Sequence, residues 1–178
     1  AVSNERLAVH GVKYVNDGSY PAMTLRLNHP GYLDGETGLT GEVPWQDMYE
    51  RMLPFWQRGI QIHSHANGDE TVDMTLDTLN ALLDSHPRFD HRFTIEHFGV
   101  STPEQVRRIA DLGALVSANV YYVHELGDAY WKHSIGFERA SQMARLGTLA
   151  RHNVTTALHS DFTMAPAQPL NSAWVAVN

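Results

Sequence analysis

Short β-branched segments alternate with amphipathic helical ones, and polar residues gather at the C-terminal ends of the strands. Together these predict an α/β fold with a parallel sheet curved as part of a TIM-type (β/α) barrel. Spacing is the third observation. His65 in IQIHSH, His97 in FTIEH and Asp161 in TTALHSD stand 32 and then 64 residues apart, close to one and two repeats of a barrel that spends roughly 30 residues per unit. The chain of 178 residues is expected to form a single domain, but a closed eightfold barrel typically needs about 250 residues. The pattern fills about five eighths of such a barrel.

Residues 10–17, HGVKYVND, are β-branched and closed by Gly18-Ser19, a strand running into a loop. Residues 20–46 carry Pro21, Pro30, Pro44 and several glycines without periodicity, a long loop of the kind that is more often functional than idle. Residues 45–58 read as a helix with Met48, Met52 and Phe55 on one face, kinked or shortened by Pro54. Gly59 hands over to a strand at 60–65. Val72, Leu76, Leu79 and Leu83 mark one face of a helix from Asp69 to Ser85, ended by His86-Pro87.

A strand at 93–97 follows. Ser101-Thr-Pro-Glu104 resembles a capping box with proline in the first turn, opening a helix to Leu112 that Gly113 stops. Residues 114–121 read as a strand, 121–137 as an aromatic loop, 138–152 as a helix and 154–161 as the last strand. LNSAWVAVN reads as the start of one more helix. Nothing before His10 supplies the first strands, so the sequence predicts five strands, the fourth to the eighth, of an incomplete barrel.

Thirteen basic against twenty acidic residues give a net charge of -7, and no basic run exceeds Arg107-Arg108. This excludes the electrostatic footprint of a nucleic-acid binder and favours a small-molecule substrate. No apolar run approaches the roughly 20 residues of a membrane span, and AVSNERLAVH lacks a signal-peptide core. A cytoplasmic location is expected, although a signal on an N-terminus outside this sequence would be hidden. With no cysteine, any metal must be held by histidine, carboxylate or a modified lysine.

Eleven histidines make that feasible. Residues two apart on a strand share a face, so His63 and His65 point the same way, as do His159 and Asp161. Imidazoles and a carboxylate nearing one point from three strands suit a divalent cation such as zinc, with a position left open for water.

The runs GVKYVNDGS, GIQIHSHANGDETVD, HRFTIEHFGVSTPEQ, LGALVSANVYYVHELGDAYW, IGFERA and ALHSDFTMAPAQPL resemble successive blocks of the amidohydrolase family 3 enzymes, the group around N-substituted formamide deformylase. The resemblance implies a metal-dependent hydrolase with a TIM barrel that cleaves non-peptide C–N bonds of amide or formamide type. It makes Lys13 the fourth-strand lysine that, carboxylated, bridges two metals. His65, His97 and Asp161 match the fifth-, sixth- and eighth-strand ligands, with Asp161 the catalytic acid-base. Those barrels also open on a first-strand His-x-His, but only 96 residues separate His65 from Asp161, room for three units at roughly 30 each. His63 is therefore read as a structural or supporting residue, not as part of that pair. Without the pair, this chain is expected to hold one ion at best and to be weakly active or inactive, where intact members hold two.

His159 is read as orienting the nucleophile or a substrate oxygen, with a structural role equally open. Glu96 and Asp69 are candidates for fixing imidazole tautomers, although Asp69 also suits a helix cap. Tyr121, Tyr122, His124, Tyr130 and Trp131 are candidates for the substrate wall, and Asp77 and Asp84 for a solvated helix face. Two alternatives stand beside the enzyme. One is a non-catalytic half-barrel that forms a homo-oligomer through exposed strand edges; the other is a mononuclear module using His63, His65 and His97.

Overall fold

The computed structural model describes residues 6–178. Strands β1 (Gly11–Val15), β2 (Gln61–Ala66), β3 (Thr94–His97), β4 (Leu115–Asn119) and β5 (Thr156–His159) form one sheet, all parallel and in chain order. Every C-terminal strand end therefore lies on the same rim. This is the α/β architecture of a partial TIM barrel, five strands with helices between them.

A 3-10 turn at Trp45–Asp47 leads into α1 (Met48–Trp56), which contains Pro54 and ends two residues beyond it. Helix α2 spans Asp69–Ser85 and α3 spans Pro103–Asp111. The capping box sits one residue later than predicted: Thr102 caps and Gln105 reciprocates. The reason is Pro103, which occupies the first helical position and so makes Thr102 the cap. Gly113, at φ +69, carries the chain out of α3.

Two sequence expectations need correction. The aromatic loop after β4 is instead helix α4 (Tyr121–His133). Asn119 Oδ1 accepts from Tyr121 N at 3.1 Å, and Lys132 pairs with Asp128 at 3.0 Å one turn away. The single helix expected over 138–152 is two short ones, α5 (Gly136–Ala140) and α6 (Leu146–Arg151). Left-handed backbone at Ala144 and Arg145 breaks it. The break is tied to the segment after β3, since Ala144 N donates to Gly99 O at 2.9 Å and Arg145 Nε to Ser101 O at 2.6 Å. Helix α7 (Pro169–Val177) ends the chain.

The main core fills the space between the sheet and helices α1, α2, α3 and α6. Ile62, Ile95, Val116 and Ala118 meet Met52, Trp56, Leu76, Leu79, Ile109 and Leu149 there. Each such side chain, fully buried, contributes about 1.5–3 kcal/mol. A second core lies over the rim. Tyr20, Leu25, Leu27 and Tyr32 of the long loop pack on Tyr122 and Tyr130 of α4, with Ile135 and Met143. The loop that lacks periodicity is thus held by a small core of its own.

Candidate metal centre

Side chains on the concave face of the sheet follow from strand register. Lys13 pairs with His63 across β1–β2, His65 with Glu96 across β2–β3, and Glu96 with Ser117 across β3–β4. By the same alternation His97, opposite Ala66, would face the helices with Ile95. Left-handed backbone at His97 (φ 75) and Phe98 (φ 50) turns the chain at that point, and the imidazole enters the rim. Such backbone is costly for a residue with a Cβ and persists where the surroundings enforce it.

At the rim Lys13 Nζ lies 3.3 Å from His97 Nε2. The His97 ring centroid is 4.3 Å from that of His65 and 4.9 Å from that of His159. Ligand-type atoms of His97, His159 and Asp161 lie within 4.8 Å of one another. Three sequence-predicted positions, His97, His159 and Asp161, therefore form one cluster, with Lys13 and His65 against it.

Each imidazole has a defined hydrogen-bonding state. Burial, reinforced by the nearby His65, Lys13 and His159, pushes the His97 pKa down to about 2, so the ring is neutral. The Lys13 ammonium can only donate, so Nε2 accepts and Nδ1–H donates to Tyr122 Oη at 3.3 Å. His65 Nε2 faces the Gly18 carbonyl at 3.1 Å and Asp17 Oδ1 at 3.3 Å. Both oxygens only accept, so Nε2 carries the proton and Nδ1 is free. The Asn67 amide nitrogen lies 3.0 Å from the same Nε2 and donates to the Gly18 carbonyl at 3.0 Å. His159 Nδ1 accepts from Asp161 N at 3.1 Å. Burial lowers the His159 pKa, outweighing the pull of Glu96 and Asp161, so the neutral ring holds its proton on Nε2. That buried atom makes no well-formed hydrogen bond among the described residues, although the Ser117 carbonyl is near enough to favour the ring's protonation.

The donor set fits a divalent ion. Neutral imidazole lone pairs at His65 and His97 and the Asp161 carboxylate are nitrogen and oxygen groups that such cations take, and Lys13 would join them once carboxylated. His159 belongs to the same cluster, with its Nδ1 taken by the Asp161 N–H.

Other predicted residues sit elsewhere. His63 Nδ1 pairs with Glu96 at 2.7 Å. Glu96 thus fixes an imidazole, but that of His63. Burial would raise its carboxyl, yet hydrogen bonds from His63 and Ser117 hold it below the usual range. Asp69 does not orient a rim histidine, nor is it the helix cap, which is Gly68. Its carboxylate accepts from Asn28 N at 3.0 Å and Arg139 at 2.8 Å, clamping the long loop and α5 to α2. His124 packs edge-on against Tyr121 and Trp174, toward α7. Tyr130 is buried in the second core, its hydroxyl donating to Tyr20 O at 2.7 Å. Trp131 is exposed against Phe137. Asp84 accepts from Asn80, whereas Asp77 is paired with Arg108. Sequence reasoning missed Asp17, Gly18 and Asn67; an acid directly after a strand in VNDG was the one available signal.

Among the described residues, no helix is long and apolar enough to cross a membrane.

Residues 2–178 match the profile described as the amidohydrolase family. The chain is 30% identical over 179 residues to Protein LONG AFTER FAR-RED 3 of Arabidopsis thaliana, covering 99% of this chain and 30% of that protein. A crystal structure of an uncharacterized metal-dependent hydrolase from Pyrococcus furiosus superposes with a TM-score of 0.83 at 28% identity, over 99% of this chain and 36% of that one. Another, from Pyrococcus horikoshii, shares the fold with a TM-score of 0.82 at 24% identity, over 99% and 34%. The chain spans about a third of the length of these relatives. By its profile over nearly every residue, in a fold shared with metal-dependent hydrolases, this chain belongs to the amidohydrolase family.

Proposed function

We propose that the rim cluster is the metal centre of a hydrolase acting on non-peptide C–N bonds of small amide or formamide substrates. Lys13, His65, His97 and Asp161 would hold a divalent ion, with zinc the best match to two imidazoles and a carboxylate. The observation that carries this is the approach of Lys13 Nζ to His97 Nε2, 3.3 Å apart from strands separated by β2. Two side chains that the family resemblance makes metal ligands converge where the strand ends meet.

When bound, such an ion acidifies water and polarises a carbonyl. Asp161 takes the proton from the attacking water and passes it to the leaving amine. His159 Nε2–H donates to the substrate carbonyl oxygen. Tyr122 holds His97, and the clamp of Asp69, Asn28 and Arg139 holds the loop that roofs the rim.

The residues of this chain that meet at the rim support one ion. ICP-MS after zinc loading and desalting tests this directly. One zinc or less per chain is expected, abolished by His97→Ala. Two tightly held ions, or zinc retained by His97→Ala, would overturn it.

A second reading concerns assembly. Strand β5 ends the sheet, and Leu158, Phe162, Leu170, Trp174 and Val177 around it are exposed. A second copy of this chain covering that edge would remove an unpaired strand and an apolar surface together. Sedimentation or size-exclusion is expected to give a dimer or larger species; a clean monomer at tens of micromolar would rule it out.

A further inference from the structure

We infer that Asp17 is a positioning residue that sets which nitrogen His65 presents to the rim. The inference rests on the metal-centre reading above and concerns a carboxylate that is not itself one of the ligands. Asp17 follows β1 and its side chain is fully buried. Oδ2 accepts from Gly68 N at 2.7 Å, from Asn67 N at 3.2 Å and from Arg26 N at 3.4 Å. Oδ1 accepts from Asn67 N at 3.1 Å and faces His65 Nε2 at 3.3 Å.

The carboxylate therefore has a division of labour. Oδ2 is occupied by backbone N–H groups of the β2–α2 junction and the long loop, which fix the carboxylate in place. Oδ1 is left beside the imidazole and, with the Gly18 carbonyl at 3.1 Å, requires a proton on Nε2. Nδ1 is then the lone pair available to an ion. Gly68 itself cannot carry a side chain, since a Cβ there would run into the Arg26 backbone, so the carboxylate and the two segments it joins are held at close range.

The substitution Asp17→Asn keeps shape, removes the negative charge and turns one acceptor into a donor. Its amide oxygen is favoured at the Oδ2 place, which faces three N–H groups against one at the Oδ1 place, and this puts the amide NH2 opposite His65 Nε2. A donor at that place favours a lone pair on Nε2 and, against the Gly18 carbonyl that still accepts there, shifts the population toward a proton on Nδ1, the other ring nitrogen. Outer partners of this kind are worth 10- to 100-fold in metal affinity.

Two measurements test it. In the metal-free wild-type protein, long-range 1H–15N NMR of the histidine rings, with His65 assigned through His65→Gln, is expected to show His65 as the Nε2–H tautomer. Asp17→Asn is expected to shift that population toward Nδ1–H and to weaken zinc binding, measured by competition with a chromophoric chelator, about 10- to 100-fold. An Nδ1–H tautomer in the wild type would overturn the inference, as would a folded Asp17→Asn with wild-type tautomer and zinc affinity. If Asp17→Asn does not fold, the wild-type tautomer decides. If the wild type binds no zinc, the metal-centre reading fails, and the two tautomer spectra still decide whether Asp17 controls the ring.

Discussion

Tyr122 Oη and His97 Nδ1 lie 3.3 Å apart, both buried, so a helix predicted to be a loop supplies the group that orients a strand-end imidazole. Removing the hydroxyl in Tyr122→Phe leaves a buried N–H without its acceptor, at a cost of about 1–3 kcal/mol. Zinc affinity is expected to fall by about 10-fold or more. Urea unfolding and a chelator competition check the two effects, and unchanged values in both would show that the contact positions nothing.

His63 and His65 stand two residues apart but do different things. His63 is paired with Glu96 at 2.7 Å, whereas His65 offers a free nitrogen at the rim. His63→Ala is therefore expected to leave zinc binding within a few-fold of wild type, and His65→Ala to reduce it by at least about 100-fold, as loss of a ligand exceeds loss of an outer partner. Calorimetric titration separates this from a module in which His63 binds the ion.

Acid stability is set in part by histidines buried neutral. His91 Nε2 donates to Leu112 O at 2.9 Å and Nδ1 accepts from Phe93 N at 3.0 Å, so its neutral form is fully satisfied and burial lowers its pKa. The unfolded chain takes up a proton on such a group near its ordinary value of 6.5 while the folded chain does not. The stability it contributes is present above that value and is lost as pH falls toward the depressed folded pKa. His97, lowered to about 2, behaves alike in the metal-free protein. Each proton gives a slope of up to about 1.4 kcal/mol per pH unit. Unfolding free energies measured from pH 7.5 to 4.5 should fall steadily, and His91→Gln should flatten the dependence. Equal slopes for variant and wild type would refute the assignment.

Gly99 is where the second core comes closest to the strand ends. A Cβ there would strike the ring and hydroxyl of Tyr20, and Tyr20 stacks on Tyr122 with centroids 3.9 Å apart. Gly99→Ala is expected to cost about 1–3 kcal/mol by overpacking and to lower zinc affinity as well. In contrast, Gly127→Ala, in α4 with open space around it, should stabilise by about 0.5–1 kcal/mol. Thermal melts of the two variants moving in opposite directions would confirm both placements.

The parts of this molecule that sequence reveals are those governed by local periodicity. Val72, Leu76 and Leu79 mark α2, whose bounds match the reading residue for residue. The regular spacing of strand ends likewise points to His65, His97 and Asp161, and strand alternation adds His159; Lys13 follows only from the family resemblance. What it hides depends on distant partners. Residues 121–133 mix tyrosines, histidines and a glycine, and no apolar stripe marks them as a helix until Tyr20 and Tyr32 arrive to bury one side. The break at Ala144 and Arg145 is held by carbonyls of Gly99 and Ser101, which sequence spacing cannot foresee. Asp17 binds backbone amides 50 and 51 residues away, and amides are the same in every residue.

The roof over the rim has a consequence for how the site can change. Tyr20 touches Tyr122, and Tyr122 touches His97, so the loop that would select a substrate also helps hold an imidazole in place. Here the long loop and the candidate metal centre draw on the same few aromatic rings. Remodelling the loop for a new substrate would therefore perturb the metal-facing groups at once, and compensating changes in α4 would have to accompany it.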